Sequence, residues 1–243
     1  MNRTYRSIRR QLLSKAKSLV LPRRLKFALR RCANPVVVEV GANDGKTGDP
    51  AHFFIQSRQQ CKALLIEPVP YLFERLRRNY SHVPGCVPLN VAIGPVLGSA
   101  SIYYIDPDAK KSFPELPPYF EELASFDKSK ITSILGDRAA SLLRERVVKT
   151  IPLRTLLEER GISKVDFLQI DTEGYDYEVL KTFPFDLGPP LLVCFEHCHL
   201  SQSDRIAAVS LMVNYGYSVE KWGKDFVCVR RSLGTARKDR IAR

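Results

Sequence analysis

The sequence predicts an α/β fold: a seven-stranded, mostly parallel sheet with helices on both faces and an antiparallel C-terminal hairpin. Three observations carry this. From residue 36 to residue 215, short apolar runs alternate with amphipathic segments of helix length, the pattern of a parallel sheet joined by right-handed crossovers. One run, Val36-Val-Val-Glu-Val40, opens directly into the glycine turn Gly41-Ala-Asn-Asp-Gly45. The last two runs, 217–221 and 225–230, are separated by little more than Trp222-Gly-Lys224, short enough for a hairpin that closes the sheet with an antiparallel edge.

Each element follows from its residues. The nearly all-valine run at 36–40 reads as a strand buried on both faces. Further strands are expected at 63–67 and 86–92, with helices near 50–59 and 70–79. Ser99–Ile105 reads as an extended addition. Asp106–Ser133 has prolines at 107, 114, 117 and 118 and reads as irregular, with a short helix around Tyr119–Ser125. A helix over Gly136–Arg146, a β-like Val147–Leu153 and a helical Arg154–Arg160 come next. Val165–Ile170 is a buried strand, followed by a helix from Tyr175 to Thr182, a strand over Leu191–Phe195 and a helix over 203–215.

Charge divides the chain. The formal net charge is +12, but residues 1–31 hold eleven Lys and Arg and no acid, and residues 230–243 hold six basic residues against one acid. The body between them is slightly acidic, which argues against a nucleic-acid groove in the domain and for ends that touch anionic surfaces. Ile8, Leu12, Ala16 and Leu19 recur at helical spacing among the N-terminal basic residues. The expected organisation is a basic amphipathic helical extension over 1–31, one domain over 32–231 and a basic tail over 232–243. No run reaches the roughly 18 apolar residues that span a bilayer. The expected location is the cytoplasm, with weak contact to an anionic membrane surface through the N-terminus. Six scattered cysteines without a C-x-x-C pair read as small apolar side chains, with neither a zinc spacing nor a disulfide framework.

The glycine turn points to a cofactor. Its spacing, Glu39-x-Gly41-x-x-x-Gly45, differs from the G-x-G-x-x-G of dinucleotide enzymes, and Asn43 stands where a glycine would meet the pyrophosphate. A nucleoside without phosphates, such as S-adenosylmethionine, suits the turn better. Glu67 ends the next strand, 22 residues after Gly45, where an acid accepts hydrogen bonds from ribose hydroxyls. By analogy the whole pattern is the class I methyltransferase, Rossmann-like architecture. Ligands in such sheets lie at the carboxyl ends of the strands: Gly41–Gly45, Glu67, Ala92, Asp171–Glu173 and Glu196–His197.

Asp171 and Glu173, two residues apart at a strand end, would face one cleft. Mutual repulsion would raise one pKa and fit it for general-base work. Equally, the pair with His197 could hold a divalent cation, or Glu173 and Asp176 could cap the following helix. His197 is a second candidate base and His199 a further one. The segment 106–135 is a candidate lid, and Tyr103, Tyr104, Phe113, Tyr119 and Phe120 are candidates to wall an acceptor.

These stretches resemble the FkbM-type methyltransferase family. The matching residues are Val38-Glu-Val-Gly-Ala-Asn-Asp-Gly45, Ile66-Glu-Pro68 with Pro70, Leu76 and Asn79, Asn90-Val-Ala-Ile-Gly94, and Val165-Asp-Phe-Leu-Gln-Ile-Asp-Thr-Glu-Gly174 with Val179-Leu180. The resemblance covers about 36–230. It implies S-adenosylmethionine-dependent methyl transfer to a hydroxyl of a small-molecule, glycan or natural-product acceptor. It also implies that Glu39, Gly41, Ala42, Asn43 and Gly45 cradle the methionine end, that Glu67 takes the ribose, that Val91 and Ala92 lie by the adenine, and that Asp171 faces the methyl donor or the acceptor. Two positions depart from the family pattern: Gln169, commonly Lys, and Arg154, where an Asp is common in that segment. A non-catalytic module that keeps the fold and an RNA 2′-O-methyltransferase are the alternative readings.

Overall fold

Four valines in five residues favour the extended backbone, and Val36–Val40 is strand β1 in the computed structural model, which describes residues 29, 32–136 and 141–231. Its neighbours are β2 (Lys62–Ile66), β3 (Cys86–Leu89), β8 (Phe167–Ile170), β9 (Leu192–Glu196), β10 (Tyr217–Trp222) and β11 (Asp225–Arg230), in the order β10-β11-β9-β8-β1-β2-β3. Pairing is parallel from β3 through β9, while β11 runs antiparallel to both β9 and β10. The expected antiparallel hairpin thus closes this end of the sheet. β11 inserts between β9 and β10, and β10 forms the edge.

Two-sided burial is visible in the side-chain alternation. Val38, Val40, Leu64, Ile66, Leu168, Ile170, Val193 and Phe195 enter one core, with helices α5 (Leu153–Glu159), α6 (Asp176–Thr182) and α7 (Gln202–Asn214) supplying Leu156, Val179, Leu180, Ala208 and Met212. Val37, Ala63, Leu65, Phe167, Leu192 and Cys194 face the opposite core, where α1 (His52–Ser57) brings Phe54 and Ile55 and α2 (Pro70–Tyr80) brings Leu76 and Tyr80. Pro70 opens α2 at a position that tolerates a missing N–H.

The predicted strand over 86–92 splits. Residues 86–89 stay in the main sheet, and β4 (Ala92–Ile93) starts a second sheet of order β4-β7-β5-β6 with β5 (Gly98–Ile105), β6 (Ala124–Ser125) and β7 (Leu143–Ile151). The expected helix over Gly136–Arg146 is also overturned within the described residues, 137–140 lying outside them. Residues 143–146 are strand, paired with Ile102–Ile105, and the helix lies earlier, as α4 over Lys128–Leu135. The Asp127 carboxylate accepts the Ser129 N–H and caps it, so an Asx-type cap in a segment read as irregular started the helix. A short α3 (Ala109–Ser112) and a 3₁₀ turn at Phe120–Glu122 complete the insertion. Among the described residues, no helix is long and apolar enough to cross a membrane. The predicted N-terminal amphipathic helices and the C-terminal basic tail lie outside the described residues, apart from the buried Leu29.

Candidate active site

The strand register turns one face of the sheet from apolar to polar in two steps. Beyond Val37, Phe167 and Leu192, the next row is Glu39, Gln169, Cys194 and Val227, aligned by direct pairing. One pleat further lie Gly41, Asp171, Glu196 and Asp225, with Glu196 opposite Asp225. All eight residues line one cavity of about 570 Å³ at the carboxyl ends of the strands, where open α/β sheets bind ligands.

Gly41 closes this end of β1. Its φ is +80°, and a Cβ there would stand 1.8 Å from the Asp171 carbonyl oxygen. Its N–H and that of Ala42 both donate to the Ile66 carbonyl. Asn43 follows with φ +51°, a left-handed conformation that Asn tolerates better than most residues. The Asn43 N–H donates to Glu67 Oε2 at 2.8 Å, and the Val69 N–H donates to Glu67 Oε1 at 2.8 Å. Glu67 therefore ties the glycine loop to the end of β2 while it lines the cavity.

Glu39 is 1 % exposed, and its carboxylate oxygens accept no N–H among the described residues; the side chain beside it is another acid, Asp49. Burial, and then the neighbouring Asp49, hold its pKa well above the ordinary carboxylate range. Burial pushes Asp49 up to about 6, although its Oδ1 accepts the Ala51 N–H. Burial lifts Glu67 to about 7 against its two backbone hydrogen bonds. Asp49 lay in a polar loop with no periodicity, so the sequence carried no signal for it.

These raised values carry a stability consequence. Each group binds a proton in the folded state at a pH where the unfolded chain has released it. The stabilisation is complete below the unfolded values, near 4, and is lost as pH rises through about 6 and 7. The unliganded protein is expected to melt about 3–6 °C lower at pH 8 than at pH 5.5, and Glu67→Gln should flatten that slope. A melting temperature that does not fall over this range, followed by circular dichroism, would contradict these environments.

Two expected cofactor residues lie elsewhere. A Cβ on Gly45 would meet Leu76 Cδ1 at 2.4 Å and Tyr80 Cε2 at 2.5 Å, and its carbonyl accepts from the Tyr80 hydroxyl at 2.9 Å. Gly45 is therefore a packing glycine under α2, outside the cavity wall. Val91 packs against the main core, whereas Ala92 does line the cavity.

At the opposite wall, Glu173 has φ +51° and precedes Gly174 at +98°. This turn brings Glu173 Oε2 to 2.6 Å from His199 Nδ1, which is also 2.9 Å from Glu196 Oε2. The side chains of Cys198, Glu173 and Glu196 stabilise the charged ring and push its pKa up to about 12. Lys224 Nζ stands 3.5 Å from Glu196 Oε1. Asp171 opens onto the cavity, yet it lies deep enough that desolvation, followed by Glu196, Glu173 and Asp176, drives its pKa well up. Asp176 works within the fold: its Oδ1 accepts the Glu196 N–H, and its Oδ2 accepts from the Thr172 hydroxyl and Gly174 N–H.

His197 is a correction. Its ring lies 4.5 Å from that of Phe226, its Nε2 is 3.2 Å from the Gly223 carbonyl, and it does not line the cavity. Desolvation and then Lys221 lower its pKa. The cation reading with His197 fails in the same way, since it is His199 that meets Glu173.

The insertion roofs the cavity. It contributes Glu122, Ala124, Ser125 and Phe126. Arg75 holds it to α2 through a two-pronged contact with Glu121, 2.6 Å at the shorter. Lys130 Nζ donates to the Gly174 carbonyl at 3.2 Å, and Phe126 meets Tyr175 edge-on at 5.0 Å. The aromatic wall is Phe53, Phe126, Tyr175 and Trp222. Tyr103 and Phe120 pack in the insertion's own core, Tyr104 packs with Val69, Tyr71 and Leu72 where the insertion meets α2, and neither Phe113 nor Tyr119 reaches the cavity. Of the two family departures, Gln169 is on the cavity floor with a buried, unpartnered Oε1. Arg154 pairs with Asp186 at 2.5 Å, away from the cavity.

A seven-stranded sheet with one antiparallel strand inserted next to its last edge, and a cavity over the strand ends, is the class I methyltransferase architecture. Residues 39–219 match the Methyltransferase FkbM domain, and the chain belongs to that family. It is 26 % identical over 168 residues to the methyltransferase sdnD of Sordaria araneosa, covering 61 % of this chain and 60 % of that protein's length. Similar solved structures include a precorrin-6y C5,15-methyltransferase from Geobacter metallireducens, 9 % identical with a TM-score of 0.42 over 87 % of this chain and 84 % of that one. Another is an Aeropyrum pernix fibrillarin in complex with natively bound S-adenosyl-L-methionine, 9 % identical with a TM-score of 0.38 over 81 % and 65 %.

Proposed function

We propose that this chain is an S-adenosylmethionine-dependent O-methyltransferase acting on a hydroxyl of a small-molecule, glycan or natural-product acceptor. The observation that carries the reading is Glu39: a carboxylate 1 % exposed, on the cavity wall, that accepts no N–H among the described residues and has a second acid, Asp49, as its neighbour. A buried acid of this kind calls for a cationic partner, and the cofactor's ammonium group supplies one. Glu67 keeps lone pairs for ribose hydroxyls beside those used by Asn43 and Val69. Ala92 offers the adenine a small apolar wall. When bound, the cofactor supplies an electrophilic methyl group on a sulfonium.

The rest falls to the chain. Asp171 accepts the hydroxyl proton, because Glu173 is already engaged by His199. Holding donor and acceptor in line contributes about 7–11 kcal/mol in the best model reactions, and a positioned base adds about 10²–10⁴-fold. Charge favours a small acceptor over RNA. The cavity wall carries Glu39, Asp49, Glu67, Glu122, Asp171, Glu173, Glu196 and Asp225 against Lys46 and Lys224, a poor match for phosphates.

The test is thermal shift with S-adenosylhomocysteine beside NAD. Ligand at about 100 times its dissociation constant adds roughly 2.7 kcal/mol, about 5–10 °C for a domain of this size. A shift with S-adenosylhomocysteine alone, followed by transfer of labelled methyl to hydroxylated acceptors, is the expected result. Equal response to NAD, or none to either ligand at millimolar concentration, would defeat the reading. Cofactor binding without transfer to any acceptor would favour the non-catalytic module.

A further inference from the structure

We propose that Asp171, Glu173, Glu196 and His199 form a divalent-cation site on the acceptor side of the cavity. Asp171, Glu173 and Glu196 each offer a carboxylate oxygen, and the three lie within 4.8 Å of one another. Oxygens this close can share one ion at roughly 2.1–2.4 Å. His199 Nδ1 adds a nitrogen at 2.6 and 2.9 Å from two of those side chains. Two ligands on one ion at right angles stand about 3 Å apart, close to these separations.

A second observation separates this cluster from an ordinary ion pair. Glu196 is 3 % exposed, yet its Oε2 makes no contact with hydrogen-bond geometry, and the same holds for Glu173 Oε2 and His199 Nδ1. A ring proton aimed at one oxygen would satisfy two of these atoms. Instead the ring sits at ion-pair distance from both carboxylates with neither contact at hydrogen-bond angles, so the three atoms face a common point between them. The backbone supports that convergence. Glu173 is held in the left-handed region, and the Glu196 N–H is fixed by buried Asp176. The donor set of three carboxylates and one imidazole suits Mn²⁺, Mg²⁺ or Zn²⁺. On binding, the cation replaces the His199 ring proton, which is released to solvent. If the methyl-transfer reading holds, an open coordination position takes the acceptor hydroxyl and orients it over Asp171. Cation binding itself does not depend on that reading.

The experiment is a Mn²⁺ titration of the full, chelator-stripped chain, with free Mn²⁺ followed by its six-line electron paramagnetic resonance signal. We expect one ion per chain at a dissociation constant of about 1–50 μM, weakened at least about tenfold in E196Q and in E173Q. Absence of saturable binding below about 1 mM in the wild-type chain overturns the site, whether or not any variant folds. Undiminished binding in both folded variants overturns the assigned ligands. S-adenosylhomocysteine titrated into the same samples keeps the two readings apart: Mn²⁺ binding without it removes the cofactor reading and leaves the cation site, and the converse does the reverse.

Discussion

Replacing Gly41 with alanine will cost about 3–5 kcal/mol of stability and abolish cofactor binding. Two effects add. At φ +80° an alanine side chain is strained by about 1–2 kcal/mol. Its Cβ would also stand 1.8 Å from the Asp171 carbonyl oxygen, which belongs to the backbone and cannot rotate away. Either β1 or the end of β8 must shift, and both carry the cavity wall. Gly48 supplies the internal control: its φ is +71°, and nothing lies within 4 Å of a Cβ built there. Gly48→Ala should lose only the strain, about 1 kcal/mol. Urea denaturation of the two variants measures the difference, and equal losses would show that the clash relaxes without cost.

Glu67→Ala is expected to weaken S-adenosylhomocysteine binding by about 100-fold or more. The carboxylate holds the Asn43 and Val69 N–H groups. Its loss frees the glycine loop at the same time as it removes the proposed acceptor for the ribose. Hydrogen bonds to a charged group contribute about 1.5–3 kcal/mol each. Stability should fall less than affinity, because removing a buried acid with a pKa near 7 also removes its desolvation cost. Glu67→Gln keeps one acceptor oxygen but turns an amide NH₂ toward a backbone N–H, so it should fall between. Isothermal titration decides, and an E67A affinity within about threefold of wild type would sink the ribose role.

The sequence displayed the parts of the site that sit on strands. Val36–Val40, Leu64–Ile66 and Phe167–Ile170 are read from composition, and the rule that ligands lie at strand ends then reaches Glu39, Glu67, Asp171 and Glu173. Where the chain leaves a strand, parity is lost. Cys194 and Glu196 share a face and line the cavity, and the alternation that places them turns His197 away toward Phe226. His199, two residues later in a turn, swings back to the acids, and no periodicity encodes that return. The insertion failed for a related reason. Its helix is started by one side-chain cap at Asp127, and β7 is an exposed strand whose polar face breaks the apolar pattern used to find strands. Gly45 misled because a glycine required by the packing of Leu76 and Tyr80 looks, in one dimension, like a glycine required by a ligand.

The insertion of β11 between β9 and β10 also sets the order in which the molecule can be completed. During synthesis, β10 emerges before its neighbour and has nothing to pair with until residues 225–230 follow. The edge of β9 stays open until then. Trp222, Lys224, Asp225 and Val227 belong to the same late segment and to the cavity wall. A nascent chain arrested before residue 225 therefore carries the glycine loop and both cores' helices but lacks an interior strand and one side of the cavity, so the candidate site is among the last features to close.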